Sequence, residues 1–136
     1  KGKLDSTFIT SNCDIIIDAD YTDILKFHRE NRCKITLVCS MQHFPIPYGV
    51  VEIEKGGMLK AIREKPEFDF LVNSGLYVLE PELLDRIPND QIYHITHLIE
   101  NLRRENEKVG VYPISAKSWI DIGEMNEYKE TLARFR

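Results

Sequence analysis

Thr7-Phe-Ile-Thr-Ser-Asn-Cys-Asp-Ile-Ile-Ile-Asp-Ala-Asp20 sets the reading of everything around it. Two β-type runs, Thr7 to Ser11 and Ile15 to Ile17, are interrupted by the polar triplet Asn12-Cys13-Asp14. Asp20 then stands where a helix cap belongs. Asp23 falls in the first turn, and Ile24, Leu25 and Phe27 share one apolar face, so a helix is expected to run to about Asn31. Lys34-Ile-Thr-Leu-Val-Cys39 follows as a strand. Strand, helix, strand is the signature of a parallel crossover, which fixes the class as α/β.

Downstream, the period changes. Tyr48-Gly-Val-Val-Glu-Ile-Glu54 and Met58-Leu-Lys-Ala-Ile-Arg63 flank Lys55-Gly56-Gly57, the pattern of an antiparallel hairpin inserted into the parallel frame. Phe70 to Glu80 reads as a strand with Gly75 inside it, and Pro81 opens a short helix from a favourable first-turn position. Ile95, Leu98, Ile99 and Leu102 keep helical spacing to about Asn106. Val109-Gly-Val-Tyr-Pro-Ile114 and Trp119-Ile-Asp-Ile-Gly123 are extended, and a last helix is expected from about Glu124. There is no internal repeat or linker, so residues 1–136 read as one compact unit.

Composition narrows the class further. With 136 residues the chain can bury roughly two-thirds of its unfolded surface. Its 43% hydrophobic and 29% charged residues suit a folded domain rather than a disordered one. A formal net charge of -4 with scattered Lys and Arg argues against nucleic acid or an anionic membrane as partner. No run approaches the ~20 apolar residues that span a bilayer, and a cytoplasmic location is expected. Cys13, Cys33 and Cys39 lack CxxC spacing and are expected to be reduced, packed thiols. His28, His43, His94 and His97 show no ligand spacing, and the His94/His97 pair is read as structural.

Several residues are candidates for chemistry. Asp14 stands at the carboxyl end of a strand, where ligands bind in open α/β sheets; the alternative is a turn Asp bonding its own backbone. Asp121 is held between apolar residues beside Gly123, although it could equally cap the helix that follows. Two carboxylates at two strand ends are what Mg²⁺ uses, with water and substrate phosphate completing its shell. Glu64-Lys65-Pro66 places an acceptor for sugar hydroxyls beside a cation for a phosphate, against the plain alternative of an exposed Glu-Lys pair. Asp18-Ala-Asp20 has the form of the acidic triplet of glycosyltransferases, but Asp20 is better explained as the helix cap.

Five motifs in order carry a resemblance: Phe8-Ile-Thr-Ser-Asn-Cys-Asp14, Tyr48-Gly-Val-Val-Glu52, Glu64-Lys-Pro66, Val72-Asn-Ser-Gly-Leu-Tyr77 and Trp119-Ile-Asp-Ile-Gly123. Each is weak alone. Together, over essentially the whole chain, they resemble the sugar-1-phosphate nucleotidyltransferases. Cys before the first metal Asp is most similar to mannose-1-phosphate guanylyltransferase-like members. The resemblance implies a partial Rossmann-like mixed sheet of the nucleotide-diphospho-sugar transferase type, with flanking helices and the hairpin insertion. It also implies a reaction in which a sugar 1-phosphate attacks the α-phosphorus of a nucleoside triphosphate, releasing pyrophosphate without a covalent enzyme intermediate. Carried over by position, Asp14 and Asp121 would bind Mg²⁺, Lys65 the sugar phosphate, and Gly49, Glu64 and Asn73 the sugar. Gly75 would let backbone approach the ligand.

The family's Gly-rich nucleotide loop precedes the first metal Asp, and no such loop occurs in these 136 residues. The chain is therefore expected to be the C-terminal, sugar-phosphate and metal half of the catalytic domain, inactive alone, with the triphosphate held elsewhere in the intact enzyme. A sugar-phosphate sensor or regulatory subunit, and a glycosyltransferase using Asp18 and Asp20, remain as alternatives. An incomplete sheet with an open edge tends to find a partner strand, which allows a homo-oligomer.

Overall fold

The computed structural model describes residues 4–123. The helix expected from about Glu124 lies outside them. In chain order the elements are β1 (Phe8–Ser11), β2 (Ile15–Ile17), α1 (Tyr21–Glu30), β3 (Ile35–Pro45), β4 (Val50–Ile53), β5 (Leu59–Arg63), β6 (Glu67–Leu79), a 3-10 segment (Pro81–Arg86), α2 (Ile95–Arg104), β7 (Val109–Ile114) and β8 (Trp119–Asp121).

The main sheet has the order β1-β6-β3-β7. β3 and β7 are parallel neighbours, whereas β6 runs antiparallel to both β1 and β3. The crossover read from the sequence is therefore present in direction, but β6 is wedged between its two strands. This makes the sheet mixed, as the resemblance implied. β2 and β8 form a separate antiparallel pair, and β4 and β5 form the glycine-turn hairpin. Gly56 and Gly57 have φ of 85° and 81°, a left-handed backbone that favours glycine.

The apolar residues of the sheet alternate between two layers. On one face Ile35, Tyr77 and Leu79 pack with Leu83 of the 3-10 segment and with Leu98 and Leu102 of α2. On the other, Val38, Leu76, Val78 and Ile114 pack with Ile24 of α1 and with Trp119 of β8. A fully buried Leu or Ile contributes roughly 1.5–3 kcal/mol, so these two layers hold the sheet between its helices. Asp20 caps α1 as expected, accepting from the backbone N–H of Thr22 (2.8 Å) and Asp23 (3.3 Å).

Both β3 and β6 outrun their sequence reading. Past Ser40↔Ile114, the last pair that β3 makes with β7, they continue as a two-stranded arm from Met41↔Leu71 to Pro45↔Glu67. Sequence reasoning stopped β3 at Cys39 because Ser40 to Pro45 lacks an apolar run; pairing with β6 carries it on. At the root of the arm the register jumps from Val38↔Leu76 to Cys39↔Asn73, leaving Ser74 and Gly75 as a two-residue bulge in β6.

Candidate functional site

The bulge and the Asn12-Cys13-Asp14 turn lie side by side where β1 ends, against Ser11↔Leu76 of the β1–β6 ladder. Gly75 adopts φ of 90°, which turns its backbone toward the loop, and its carbonyl accepts from Asn12 N–H at 3.0 Å. Ser74 is buried and donates from Oγ to the Val38 carbonyl at 2.7 Å, pinning the bulge to β3. Asn73 is exposed. Its Oδ1 accepts from Gly75 N–H at 3.3 Å, and its Nδ2 donates to the Tyr77 hydroxyl at 2.7 Å.

The structure brings Asp14 and Asp121 together. β2 pairs with β8 in the register Ile15↔Asp121, and Ile122 N–H donates to the Asp14 carbonyl at 2.8 Å. Gly123 marks the meeting point: a Cβ there would stand 3.2 Å from Asp121 Oδ1 and 3.4 Å from Asp14 Oδ2. The two carboxylate oxygens are thus no further apart than the sum of those distances. Asp14 is exposed and Asp121 half-buried. Among the described residues no group of three or more His, Cys, Asp or Glu side chains is arranged to hold a metal ion, so any cation here rests on a pair.

Gly49, Glu64 and Lys65 form a second group at the far end of the arm. A Cβ on Gly49 would lie 3.1 Å from Glu64 Oε2, so the two sequence candidates meet beside Val50↔Arg63. Lys65 is exposed and makes no ion pair among the described residues, whereas Lys60 and Arg63 both engage Glu52, at 3.3 and 2.6 Å. Its φ of 43° is unusual for a residue before proline, which is normally driven to extended backbone. From Asn73 to Glu67 the strand covers about 20 Å at ~3.3 Å per residue. Asn73 and Gly75 therefore adjoin the aspartate turn, while Lys65 is borne on the arm.

Two residues missed by sequence reasoning shape the site. Asn12 lies flat against Gly75, and Tyr77 holds Asn73. The signal for Tyr77 was available: it is the one polar side chain in the buried run Leu76 to Leu79. Other readings are settled by geometry. Asp20 accepts with Oδ1 at the α1 cap, which accounts for it without a glycosyltransferase triplet. Cys33 and Cys39 are packed as expected, with burial pushing the Cys39 thiol pKa up, but Cys13 is exposed because it sits in the open turn. His94 and His97 are in edge contact with centroids 5.4 Å apart. No described helix is long and apolar enough to cross a membrane.

The family profile described as nucleotidyl transferase matches residues 2–135. The chain belongs to that family. Among curated proteins, this nucleotidyl transferase chain is 30% identical over 136 residues to a UTP--glucose-1-phosphate uridylyltransferase of Synechocystis, covering 94% of the chain and 34% of the relative. It is 28% identical over 135 residues to mannose-1-phosphate guanyltransferase beta-B of Xenopus laevis, covering 89% of the chain and 34% of the relative. The chain thus spans about a third of these relatives. Among solved structures, HddC from Yersinia pseudotuberculosis superposes with a TM-score of 0.59 at 20% identity, over 97% of this chain and 56% of that one. That likeness supports the mixed-sheet nucleotidyl transferase fold.

Proposed function

We propose that these residues are the sugar-phosphate and metal half of a nucleotidyltransferase that joins a nucleoside triphosphate to a sugar 1-phosphate. A phosphate oxygen of the sugar 1-phosphate forms a bond to the α-phosphorus, the bond from that phosphorus to the bridging oxygen breaks, and pyrophosphate leaves. The observation that carries this reading is the convergence of Asp14 and Asp121 across Gly123. Two hard oxygen donors with no His or Cys in the set fit Mg²⁺, whose remaining positions water and a phosphate would fill. Mg²⁺ held by these carboxylates would supply neutralisation of phosphate charge.

The remaining work is positioning. Glu64 accepts from sugar hydroxyls, Asn73 donates to a sugar oxygen, and Gly49 and Gly75 allow backbone to approach the sugar. Lys65, with no carboxylate paired to it among the described residues, pairs with the sugar phosphate when the arm bends over the bulge. Two-stranded ribbons twist strongly, which makes such a bend accessible. The triphosphate cradle would come from the length of the relatives that this chain does not span. A cytoplasmic setting belongs to the same reading, supported by three unpaired thiols.

The test is calorimetric titration of the chain with glucose 1-phosphate and mannose 1-phosphate in the presence of Mg²⁺. Lys65→Ala is expected to weaken binding about tenfold, as for loss of a charge-assisted contact, and Lys60→Ala to leave it unchanged. Pyrophosphate release by the chain alone is expected to be nil. Equal affinities for the two lysine variants would remove Lys65 from the site, and release that vanishes in Asp14→Ala would show a nucleotide site within this half.

A further inference from the structure

Tyr77 is an oddity in the core. It is 5% exposed and packed among Ile35, Leu79, Leu83, Leu98 and Leu102, yet its hydroxyl emerges at the bulge, 2.7 Å from Asn73 Nδ2. A buried apolar run that admits one hydroxyl needs a partner for it, and here the partner is a residue of the proposed sugar site.

The hydrogen-bond directions follow from one fixed donor. A backbone N–H can only donate, so Gly75 N–H, 3.3 Å from the Asn73 carboxamide, identifies the facing atom as oxygen. The other end is then the NH₂ group, and it donates to Tyr77, whose oxygen must accept. Among the described residues Asn73 keeps one N–H without an acceptor, and the carboxamide cannot turn over without breaking both bonds. Its supports are themselves hydrogen-bonded: Ser74 Oγ donates to the Val38 carbonyl, and the Gly75 carbonyl accepts from Asn12 N–H at 3.0 Å.

We propose that Tyr77 is a positioning residue that locks Asn73 in the orientation presenting an N–H donor, so that the sugar must offer an oxygen lone pair at that point. This deepens the proposed function and rests on it. Lock and function are separable, because the lock exists without ligand. Tyr77→Phe removes only the hydroxyl and keeps the ring that fills the core.

The experiment has two arms on the 136-residue chain. Without ligand, ¹⁵N-labelled protein is expected to show two well-separated side-chain amide protons for Asn73, drawing together in Tyr77→Phe. With glucose 1-phosphate or mannose 1-phosphate as probe, Tyr77→Phe is expected to weaken binding about twofold to tenfold, the effect of one neutral hydrogen bond. Mg²⁺ affinity and melting temperature should stay level, and Tyr77→Phe should have no further effect on binding in Asn73→Ala. Unchanged Asn73 amide signals in Tyr77→Phe overturn the lock. Additive losses in the double variant overturn the route through Asn73. An unsubstituted chain that binds neither sugar phosphate overturns the sugar role, and the ligand-free signals then show that the function, not the lock, has failed.

Discussion

Asn12 and Gly75 are in contact so close that a methyl group on the glycine would stand 2.7 Å from Asn12 Nδ2 and 2.9 Å from its Cγ. The φ of 90° at Gly75 adds backbone strain to that collision. Gly56, with φ of 85° and nothing within 4 Å of its added Cβ, carries the strain without the collision. Gly56→Ala is therefore expected to cost about 1–2 kcal/mol and Gly75→Ala more, by urea denaturation. Asn12→Ala introduced into Gly75→Ala should recover the excess; no recovery would show that the contact is not what excludes a side chain.

Gly123, by its lack of a side chain, lets two carboxylates converge on it. In Gly123→Ala the methyl enters at 3.2 and 3.4 Å from their oxygens, tight enough that one must shift by a few tenths of an ångström. Mg²⁺ affinity measured by titration is expected to fall about tenfold, a typical cost for disturbing ligand orientation, while the melting temperature changes little. Asp14→Asn should remove the binding. Undiminished affinity in both variants would separate this pair from any metal.

On the arm, His43 Nδ1 lies 2.8 Å from Asp69 Oδ1 and Nε2 lies 3.7 Å from Glu67 Oε2. The hydrogen bond to Asp69 raises the His43 pKa above its ordinary 6.5, with charge attraction to Asp69 and Glu67 adding to it and desolvation opposing. A raised folded pKa means the contribution is fully present below the unfolded value and disappears as pH climbs through the folded one. Asp69→Asn should move the His43 midpoint down in an NMR titration and flatten the arm's pH dependence between those two values. An unmoved midpoint would contradict the assignment of the shift to Asp69.

What was legible in the sequence was whatever local chemistry dictates. The Asp20 cap, the Gly56-Gly57 turn and the helical spacing of Leu98 and Leu102 all form where their residue types place them. Asp14 and Asp121 were visible as carboxylates at strand ends, but their meeting depends on β2 pairing with β8, a long-range contact with no local signature. The wedging of β6 between β1 and β3 was hidden for the same reason. Asn12 and Tyr77 escaped notice because each acts through a neighbour whose special geometry, the bulge, appears only once two strands are aligned.

The bulge carries an even count of extra residues, and that parity has a consequence for how such a protein can vary. Side chains along a strand change sides with every residue, so an odd insertion at this point would turn Phe68, Phe70 and Val72 over to the face now held by Asp69 and Leu71. Ser74 and Gly75 come as a pair, and the alternation of the arm continues in phase with that of the core. Removing both would leave the sheet's alternation intact, whereas removing either alone would put the arm out of phase with the core unless a one-residue bulge absorbed the difference. Residues can thus be added or taken away here two at a time, without renegotiating the scaffold that bears them.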